Sequence, residues 1–242
     1  MPDFGADSDQ AQFDRFAAQA GFQAIFNSSY AEAYRAFTTQ FVEAVSTSTD
    51  PVAAVDLGCG DGWTAEMLSS FRSGRYIGID PSGVSLEKLS LRLAEHPNLI
   101  CTNFQQSGEW LLNPTSQQAV LADLGDQPNL FICNATCHQL RKVFPDVAKV
   151  LAAGISLIRP QGQVIVGDYY YPTTLSDHEV ETGRDWIRQQ TGQNPTVRAG
   201  FYQPGEMRAF LEAAGVRITS DADVAANPHI PLRYCVFRGE KK

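Results

Sequence analysis

Residues 55–62 read Val55-Asp56-Leu57-Gly58-Cys59-Gly60-Asp61-Gly62, and this stretch decides the fold. Its apolar start belongs to a short β-branched run that predicts a strand, and a helical pattern follows its three glycines at once. Glycines in such a turn let the backbone bend tightly and let a ligand approach the main chain closely. The free N–H groups at the start of the next helix favour an anionic ligand group. The stretch therefore predicts a ligand-binding strand–loop–helix unit.

The next strand supplies an acidic partner for this loop. It ends in Ile79-Asp80, some two dozen residues beyond Asp56. An acid at the tip of the second strand is placed to accept hydrogen bonds from both hydroxyl groups of a ribose. The glycine spacing is G-x-G-x-G, not the dinucleotide G-x-G-x-x-G, and Asp56 would repel a pyrophosphate but receive a cationic amine. The pattern favours a ligand with a ribose and an amine; a nicotinamide dinucleotide stays an alternative.

Strands and helices alternate on both sides of the loop. Seven short apolar runs predict strands over 52–57, 76–80, 99–103, 130–134, 163–168, 216–220 and 234–238. Apolar residues at helical spacing predict helices over 62–71, 84–94, 147–158, 179–190 and 205–214. This order predicts an α/β fold with a doubly wound, mostly parallel seven-stranded sheet and helices on both faces.

The two ends of the chain differ from this alternating centre. Helical spacing between Phe13 and Val45 predicts an N-terminal helical cap or lid over residues 1–50. The ligand-binding domain is predicted over 51–242, with an insertion at 169–203.

Composition excludes several functional classes. The 242 residues carry a formal net charge of -8, which disfavours a nucleic-acid partner. The start of the sequence lacks the basic and apolar parts of a signal peptide, and no apolar run is long enough for a membrane span. Five scattered cysteines indicate reduced thiols in the cytoplasm, and the few histidines are too dispersed for a metal site.

The loop resembles motif I, D/E-x-G-x-G-x-G, of the class I methyltransferases that depend on S-adenosylmethionine (SAM). Gly78-Ile79-Asp80-Pro81-Ser82 is similar to motif II of that family, and Cys133-Asn134-Ala135-Thr136-Cys137-His138 is similar to its motif IV region. The order of these motifs is collinear over residues 30 to 240.

The resemblance implies SAM as cofactor and a role for each matching residue. Asp56 would hold the methionine amino group, directly or through water, and Gly58 and Gly60 would line the methionine part. Asp80 would bind the ribose, and Asn134 would face the methionine. Asn103 and Phe104 would flank the adenine, although the family often has an acid there. Asn134 alternatively caps the next helix.

The sequence indicates less about the methyl acceptor than about the methyl donor. His138 follows the fourth strand and is the first candidate for a general base, since histidine titrates near neutral pH; its alternative role is packing. Tyr170 is the second catalytic candidate, because neighbours in the run Tyr169-Tyr170-Tyr171 point to different sides and cannot all belong to the core. Tyr34 is expected to close over SAM, or else to pack between helices.

Together these residues predict a SAM-dependent methyltransferase that acts on oxygen, nitrogen or carbon of a small, apolar or aromatic molecule. The prediction of an apolar or aromatic acceptor rests on the aromatic residues of the insertion. A protein substrate and a SAM-binding module or catalyst that transfers no methyl group remain alternatives. A homodimer is compatible with the sequence.

Overall fold

The sheet has the seven predicted strands. The computed structural model describes residues 30–46, 50–144, 146–191 and 200–242. The strands are β1 (Val52–Leu57), β2 (Gly74–Asp80), β3 (Leu99–Gln105), β4 (Leu130–Asn134), β5 (Gln163–Tyr170), β6 (Val216–Ala225) and β7 (Arg233–Lys241). Their order across the sheet is β3-β2-β1-β4-β5-β7-β6. Strands β1 to β5 are parallel, and β7 is antiparallel to both neighbours.

Helices connect the parallel strands and pack against the sheet. They are α1 (Ala31–Ser46), α2 (Trp63–Phe71), α3 (Gly83–Leu93), α4 (Pro114–Leu124), α5 (Cys137–Val143), α6 (Val147–Leu157), α7 (Asp177–Thr191) and α8 (Pro204–Ala213), with a 3-10 helix over Gly108–Leu112. The α/β, doubly wound prediction is confirmed. Helix α1 packs on β5, β6 and β7; the earlier part of the predicted cap lies outside the described residues.

The central strands are buried on both faces, as expected for a parallel sheet covered by helices. Consecutive residues are buried along β4 and β5. Polar loops meet at the carboxyl ends of β1 and β4, where the chain order reverses beside β1. Ligands of doubly wound sheets bind at this switch point, so the topology places a site next to the glycine loop.

Strand β5 is two residues longer than predicted. Tyr169 and Tyr170 continue its pairing with β7, opposite Tyr234 and Arg233. The prediction that the three successive tyrosines cannot all belong to the core is wrong: Tyr169, Tyr170 and Tyr171 are all buried. The reason is that packing covers both faces of the sheet at this end.

No helix within the described ranges combines the length and the apolar character that crossing a bilayer requires.

Candidate active site

The glycine loop follows β1 in a backbone conformation that favours glycine. The φ angles of Gly58, Gly60 and Gly62 are +74°, +53° and +84°. A Cβ on Gly58 would lie 2.0 Å from Thr136 Oγ1, so β1 and the segment after β4 approach closely here. A Cβ on Gly60 would meet no atom within 4 Å. The space over Gly60 is therefore open to a ligand, whereas Gly58 closes the loop against β4.

Asp80 lies at the tip of β2 and is tied to the same loop. One carboxylate oxygen accepts a hydrogen bond from Gly60 N at 3.0 Å, and the other accepts one from Ser82 N at 2.9 Å. Gly58 N donates to Ile79 O at 2.7 Å, which joins the loop to β2. These bonds fix the orientation of the Asp80 carboxylate against the glycine loop.

Asp56 lies beneath the loop and is 1% exposed. A single carboxylate oxygen accepts hydrogen bonds from Thr64 Oγ1 and from Tyr76 OH, the latter at 2.7 Å. Burial raises the pKa of Asp56 to about 6; the bonds from Thr64 and Tyr76 oppose this rise, and the charge of Asp80 adds to it. The sequence did not reveal these two hydroxyl partners, because they come from α2 and β2.

The two residues predicted to flank adenine lie within β3, which extends two residues beyond the predicted end. Asn103 Nδ2 donates to Ser90 Oγ of α3 at 3.0 Å. Phe104 packs against Trp110 with ring centroids 4.8 Å apart. The two side chains thus have different partners, and their contact with adenine stays a prediction.

Asn134 ends β4 and is held from across the sheet. Its Oδ1 accepts a hydrogen bond from Tyr234 OH at 2.6 Å. Tyr234 reaches Asn134 over Gly167 of β5, where a Cβ would lie 1.9 Å from the tyrosine hydroxyl. Ala135 follows with φ of +54°, which is unusual for a residue with a side chain. Ala135 therefore holds a strained backbone conformation, whereas the glycines of the loop adopt positive φ without that cost.

Tyr34 of α1 lies against the start of α2. Its hydroxyl accepts a hydrogen bond from Trp63 Nε1, and the two rings lie 4.2 Å apart. Tyr34 thus packs between α1 and α2, close to the end of the glycine loop, and its closure over SAM stays a prediction.

His138 and Asp168 form a buried pair at the ends of β4 and β5. His138 Nδ1 lies 2.6 Å from Asp168 Oδ1, and His138 N donates to Asp168 Oδ2 at 2.7 Å. The exposed fractions are 8% for His138 and 2% for Asp168. Because the carboxylate only accepts, the proton of the neutral imidazole belongs on Nδ1.

The other ring nitrogen of His138 consequently carries a lone pair. Gln139 Nε2 lies 2.8 Å from His138 Nε2, and Gln139 Oε1 accepts from Lys142 Nζ at 2.7 Å. Lysine only donates, so the contact with Lys142 orients the amide with its N–H groups toward His138. The network assigns Nε2 as an acceptor, the state that a general base needs.

Aromatic rings surround this pair. Phe201 stacks on His138 with centroids 5.1 Å apart, and Tyr169 lies 6.2 Å from it. Tyr30 packs on Tyr169 at 5.6 Å. The Tyr170 hydroxyl instead donates to Asp223 at 2.6 Å and accepts from Arg233. Tyr169 therefore lies beside His138, whereas Tyr170 bonds to Asp223 of β6 and Arg233 of β7; the catalytic role of Tyr170 stays a prediction.

Arg92 of α3 holds the loop from outside. Its Nε donates to Asp61 O at 3.1 Å, its Nη2 pairs with Asp61 Oδ2 at 2.9 Å, and its Nη1 pairs with Glu66. Sequence reasoning missed this contact, since Arg92 lies on a different helix and nothing in its local pattern points to the loop.

The residues fit SAM as the loop's ligand. Open space over Gly60 admits a ligand against the main chain, and a fixed acid at the tip of β2 matches a ribose. Among the described residues, no group of three or more His, Cys, Asp or Glu side chains could hold a metal ion.

Comparisons with known proteins agree with this geometry. A family model described as a methyltransferase domain matches residues 28–221. The ubiquinone biosynthesis O-methyltransferase of Methylococcus capsulatus is 26% identical over 190 residues, 78% of this chain and 73% of that enzyme.

Solved structures share the fold. The N-methyltransferase NodS of Bradyrhizobium japonicum WM9, in complex with S-adenosyl-L-homocysteine (SAH), has a TM-score of 0.63 at 12% identity, covering 97% of this chain and 99% of that one. Magnesium protoporphyrin IX methyltransferase of Synechocystis PCC 6803, with bound SAH, has a TM-score of 0.62 at 15% identity and covers 97% of this chain and 100% of that one.

Proposed function

The chain belongs to the methyltransferase domain family, and from this premise we propose that it transfers a methyl group from SAM to an oxygen of a small, apolar or aromatic molecule. The observation that carries the proposal is the His138–Asp168 pair, which lies among aromatic rings at the strand ends beside the glycine loop. The name of the Methylococcus relative, an O-methyltransferase, supports oxygen as the acceptor atom.

The donor side of the site uses the loop and the strand tips. When bound, SAM supplies an electrophilic methyl group on its sulfonium sulfur. The sulfur keeps the electron pair of the broken C–S bond and leaves as a neutral thioether. Gly58 and Gly60 would line its methionine part, and Asp80 would accept from the ribose. Asp56 would hold the methionine amino group, directly or through water, and Asn134 would face the methionine.

The acceptor side uses His138 as a general base. Its Nε2 lone pair takes the proton of an acceptor hydroxyl as the oxygen becomes nucleophilic. Asp168 keeps the opposite proton on Nδ1 and stabilises the imidazolium that results. Gln139 would give way to the acceptor, since its amide occupies Nε2 when no acceptor is bound.

The aromatic rings select the acceptor and exclude water. Phe201, Tyr169 and Tyr30 present apolar surface close to His138. Such a wall favours an apolar or aromatic ring, whose burial contributes about 25 cal/mol per Å². We also propose a cytoplasmic protein without nucleic-acid partners, supported by the acidic net charge; the homodimer stays a prediction.

Transfer of a labelled methyl group tests the proposal. The protein, SAM with an isotopic methyl group, and either simple phenols or a metabolite extract are incubated, and labelled products are separated into small molecules and protein. We expect label in a small molecule, and a rate about 10² to 10⁴-fold lower for His138→Gln. His178→Gln, at an exposed position on α7, is the matched control and keeps the rate.

Two outcomes would contradict the proposal. Label in protein alone would favour a protein substrate. Tight binding of SAM with no labelled product from any extract would favour a SAM-binding module or catalyst without methyl transfer.

A further inference from the structure

Asn134 has both of its oxygen atoms engaged inside the protein. Its main-chain oxygen accepts a hydrogen bond from Thr136 Oγ1 at 2.8 Å, and its side-chain Oδ1 accepts one from Tyr234 OH at 2.6 Å. A separation of 2.6 Å is typical of an O–H···O bond and shorter than the usual N–H···O bond, so the tyrosine faces the oxygen of the amide and not its nitrogen. The N–H₂ group is consequently what Asn134 offers to a ligand.

Tyr234 is fixed as the donor of this bond. It is 1% exposed, and burial raises the pKa of its hydroxyl well above its ordinary value, so the hydroxyl keeps its proton. Tyr169 packs against its ring with centroids 5.2 Å apart. Gly167 of β5 gives the ring its passage, since a Cβ there would collide with the Tyr234 hydroxyl. Tyr234 is thus held in the position in which it bonds Asn134.

Asn134 lies beside the first glycine of the loop. Leu57 of β1 pairs with Cys133 of β4, and Gly58 and Asn134 come directly after this pair. The next residue, Ala135, donates its N–H to the main chain of β5 at 2.8 Å and has its positive φ here. Strain of this kind persists where the surroundings impose it, often at a functional site. The amide of Asn134 therefore has a defined place next to the part of the loop that would line the methionine of SAM.

The glycine loop uses most of its own N–H groups within the protein. Gly58 and Cys59 both donate to the main chain of β2, and Gly62 donates to Cys59 O. Gly60 N donates to the Asp80 carboxylate at 3.0 Å. Since these four N–H groups already have acceptors, a carboxylate beside the loop needs a donor from another element.

The charges that border the loop do not supply that donor. Asp56 and Asp80 are acids, and Arg92, which reaches the loop from α3, is paired with Asp61 at 2.9 Å. A ligand carboxylate in these surroundings is stabilised by a neutral donor that is held in the right direction. The N–H₂ group of Asn134 has this character.

We propose that Tyr234 is a positioning residue for SAM: its bond to Asn134 turns the amide so that the N–H₂ group donates to the carboxylate of the methionine part. The inference rests on the donor side of the proposed function and deepens it, but it does not depend on which acceptor is methylated. Removal of the Tyr234 hydroxyl would leave Oδ1 without its partner and let the amide turn over. The amide would then present an oxygen to the ligand carboxylate, and the two oxygens would repel each other.

Two analogues of SAM test this inference by calorimetric titration. Decarboxylated SAM lacks only the carboxylate, and 5′-methylthioadenosine lacks the whole amino-acid end. We expect the wild type to bind SAM about ten-fold or more tightly than decarboxylated SAM, as for a hydrogen bond to a charged group. In Tyr234→Phe this preference should fall to about three-fold or less, while the affinity for 5′-methylthioadenosine stays within about two-fold of the wild type.

A change of charge at Asn134 gives a second, independent variant. In Asn134→Asp one carboxylate oxygen can still accept from Tyr234, and the other then faces SAM. We expect Asn134→Asp to bind decarboxylated SAM more tightly than SAM, because the ligand carboxylate is repelled. Tyr202→Phe, which removes the hydroxyl of another buried tyrosine, is the matched control and should keep the wild-type preference.

Each other result overturns the inference. Equal affinities of the wild type for SAM and decarboxylated SAM, or a preference that survives in Tyr234→Phe, would contradict it. An equal loss of affinity for all three ligands in Tyr234→Phe would show that the hydroxyl only supports the fold. If the preference behaves as expected but no acceptor is methylated, the proposed function fails and this inference stands. Methyl transfer by a protein that has no preference for the carboxylate would leave the function intact and remove the inference.

Discussion

Asp168 determines which nitrogen of His138 can act as a base. Its carboxylate lies against Nδ1 and also accepts from two backbone N–H groups, those of His138 and Tyr169. These bonds leave the carboxylate no freedom to turn away from the ring. The single lone pair of the neutral imidazole is therefore presented at Nε2.

Exchange of this acid for its amide tests the assignment. Asp168→Asn removes the negative charge that stabilises the imidazolium, and its N–H₂ group leaves one of the bonded N–H groups without an acceptor. We expect the rate of methyl transfer to fall about 10² to 10⁴-fold, with SAM affinity changed less than three-fold. Single-turnover rates and SAM titrations measure the two quantities. A rate close to that of the wild type would show that His138 is not the base.

The raised pKa of Asp56 gives a second prediction for a single residue, because it makes the stability of the protein depend on pH. Its pKa of about 6 in the folded protein exceeds the unfolded value, about 3.9, so the folded state favours the protonated acid. The stability that this preference contributes is complete below about pH 4 and is lost as pH rises through about 6.

The Asp56→Asn variant should therefore gain stability relative to the wild type as pH rises from 4 to 7. One oxygen of Asp56 accepts both hydroxyl bonds, so the amide oxygen can keep them. The difference in free energy of unfolding should grow by about 2 kcal/mol across this range. Urea denaturation of both proteins at several pH values measures it. A difference independent of pH would contradict the raised pKa.

Individual residues were predictable where their chemistry is local. Asp80 and His138 follow their strands directly, and the sequence pattern was enough to single them out. Asp168, Thr64 and Arg92 gain their roles from partners on other elements, which no local pattern records. The contact of Tyr169 with His138 depends on where β5 ends and on which face each side chain takes, which the sequence does not record.

At the scale of elements, the glycine loop combines strain with open space. Gly60 and Gly215 both have positive φ, +53° and +83°, and an added Cβ would meet no atom within 4 Å at either position. Only Gly60 lies in the proposed ligand site. The pair therefore separates the cost of backbone strain from the cost of blocking the ligand.

Gly60→Ala and Gly215→Ala should lose similar stability, about 1 to 2 kcal/mol, but only Gly60→Ala should lose SAM affinity, by ten-fold or more. Chemical denaturation and SAM titration measure the two effects. Equal SAM affinities in the two variants would mean that the space above Gly60 is not used by SAM.

The link between α3 and the loop gives a further prediction. Arg92 fixes both the main chain and the side chain of Asp61, so Arg92→Gln should weaken SAM binding about five- to ten-fold by loosening the loop. Combination with Asp61→Asn should add little, since both variants break the same contact. Arg217→Gln, in an exposed pair with Glu240, is the control and should bind SAM normally. Fully additive losses in the double variant would argue against the link.

The apolar periodicity predicted which segments form strands and helices, but it did not predict where several of the strands end. Strands β3, β5, β6 and β7 run beyond their predicted ends because neighbouring strands continue to offer backbone partners. Helix α5 was not predicted. It is short, and the residue that precedes its start lacks a side-chain cap bond.

At the scale of the whole molecule, the strand order brings the parts of the site together. Reversal of the order at β1 and β4 places the glycine loop against Thr136. His138 follows two residues later on α5 and pairs with Asp168 of β5. The alternation of strands and helices predicted this convergence, since carboxyl ends of parallel strands share one edge. The identity of the acceptor could not be predicted in this way, because it depends on side chains that come from distant segments, such as Tyr30 before α1 and Phe201 before α8.

The central claim is that this edge of the sheet binds SAM, and calorimetric titration tests it most directly. SAM, SAH and NAD are titrated into the wild type and into Asp80→Ala. We expect that SAM and SAH bind, that NAD does not, and that Asp80→Ala binds SAM about 10 to 100-fold more weakly because it loses charge-assisted bonds to the ribose. Binding of NAD without SAM, or unchanged SAM affinity in Asp80→Ala, would contradict it.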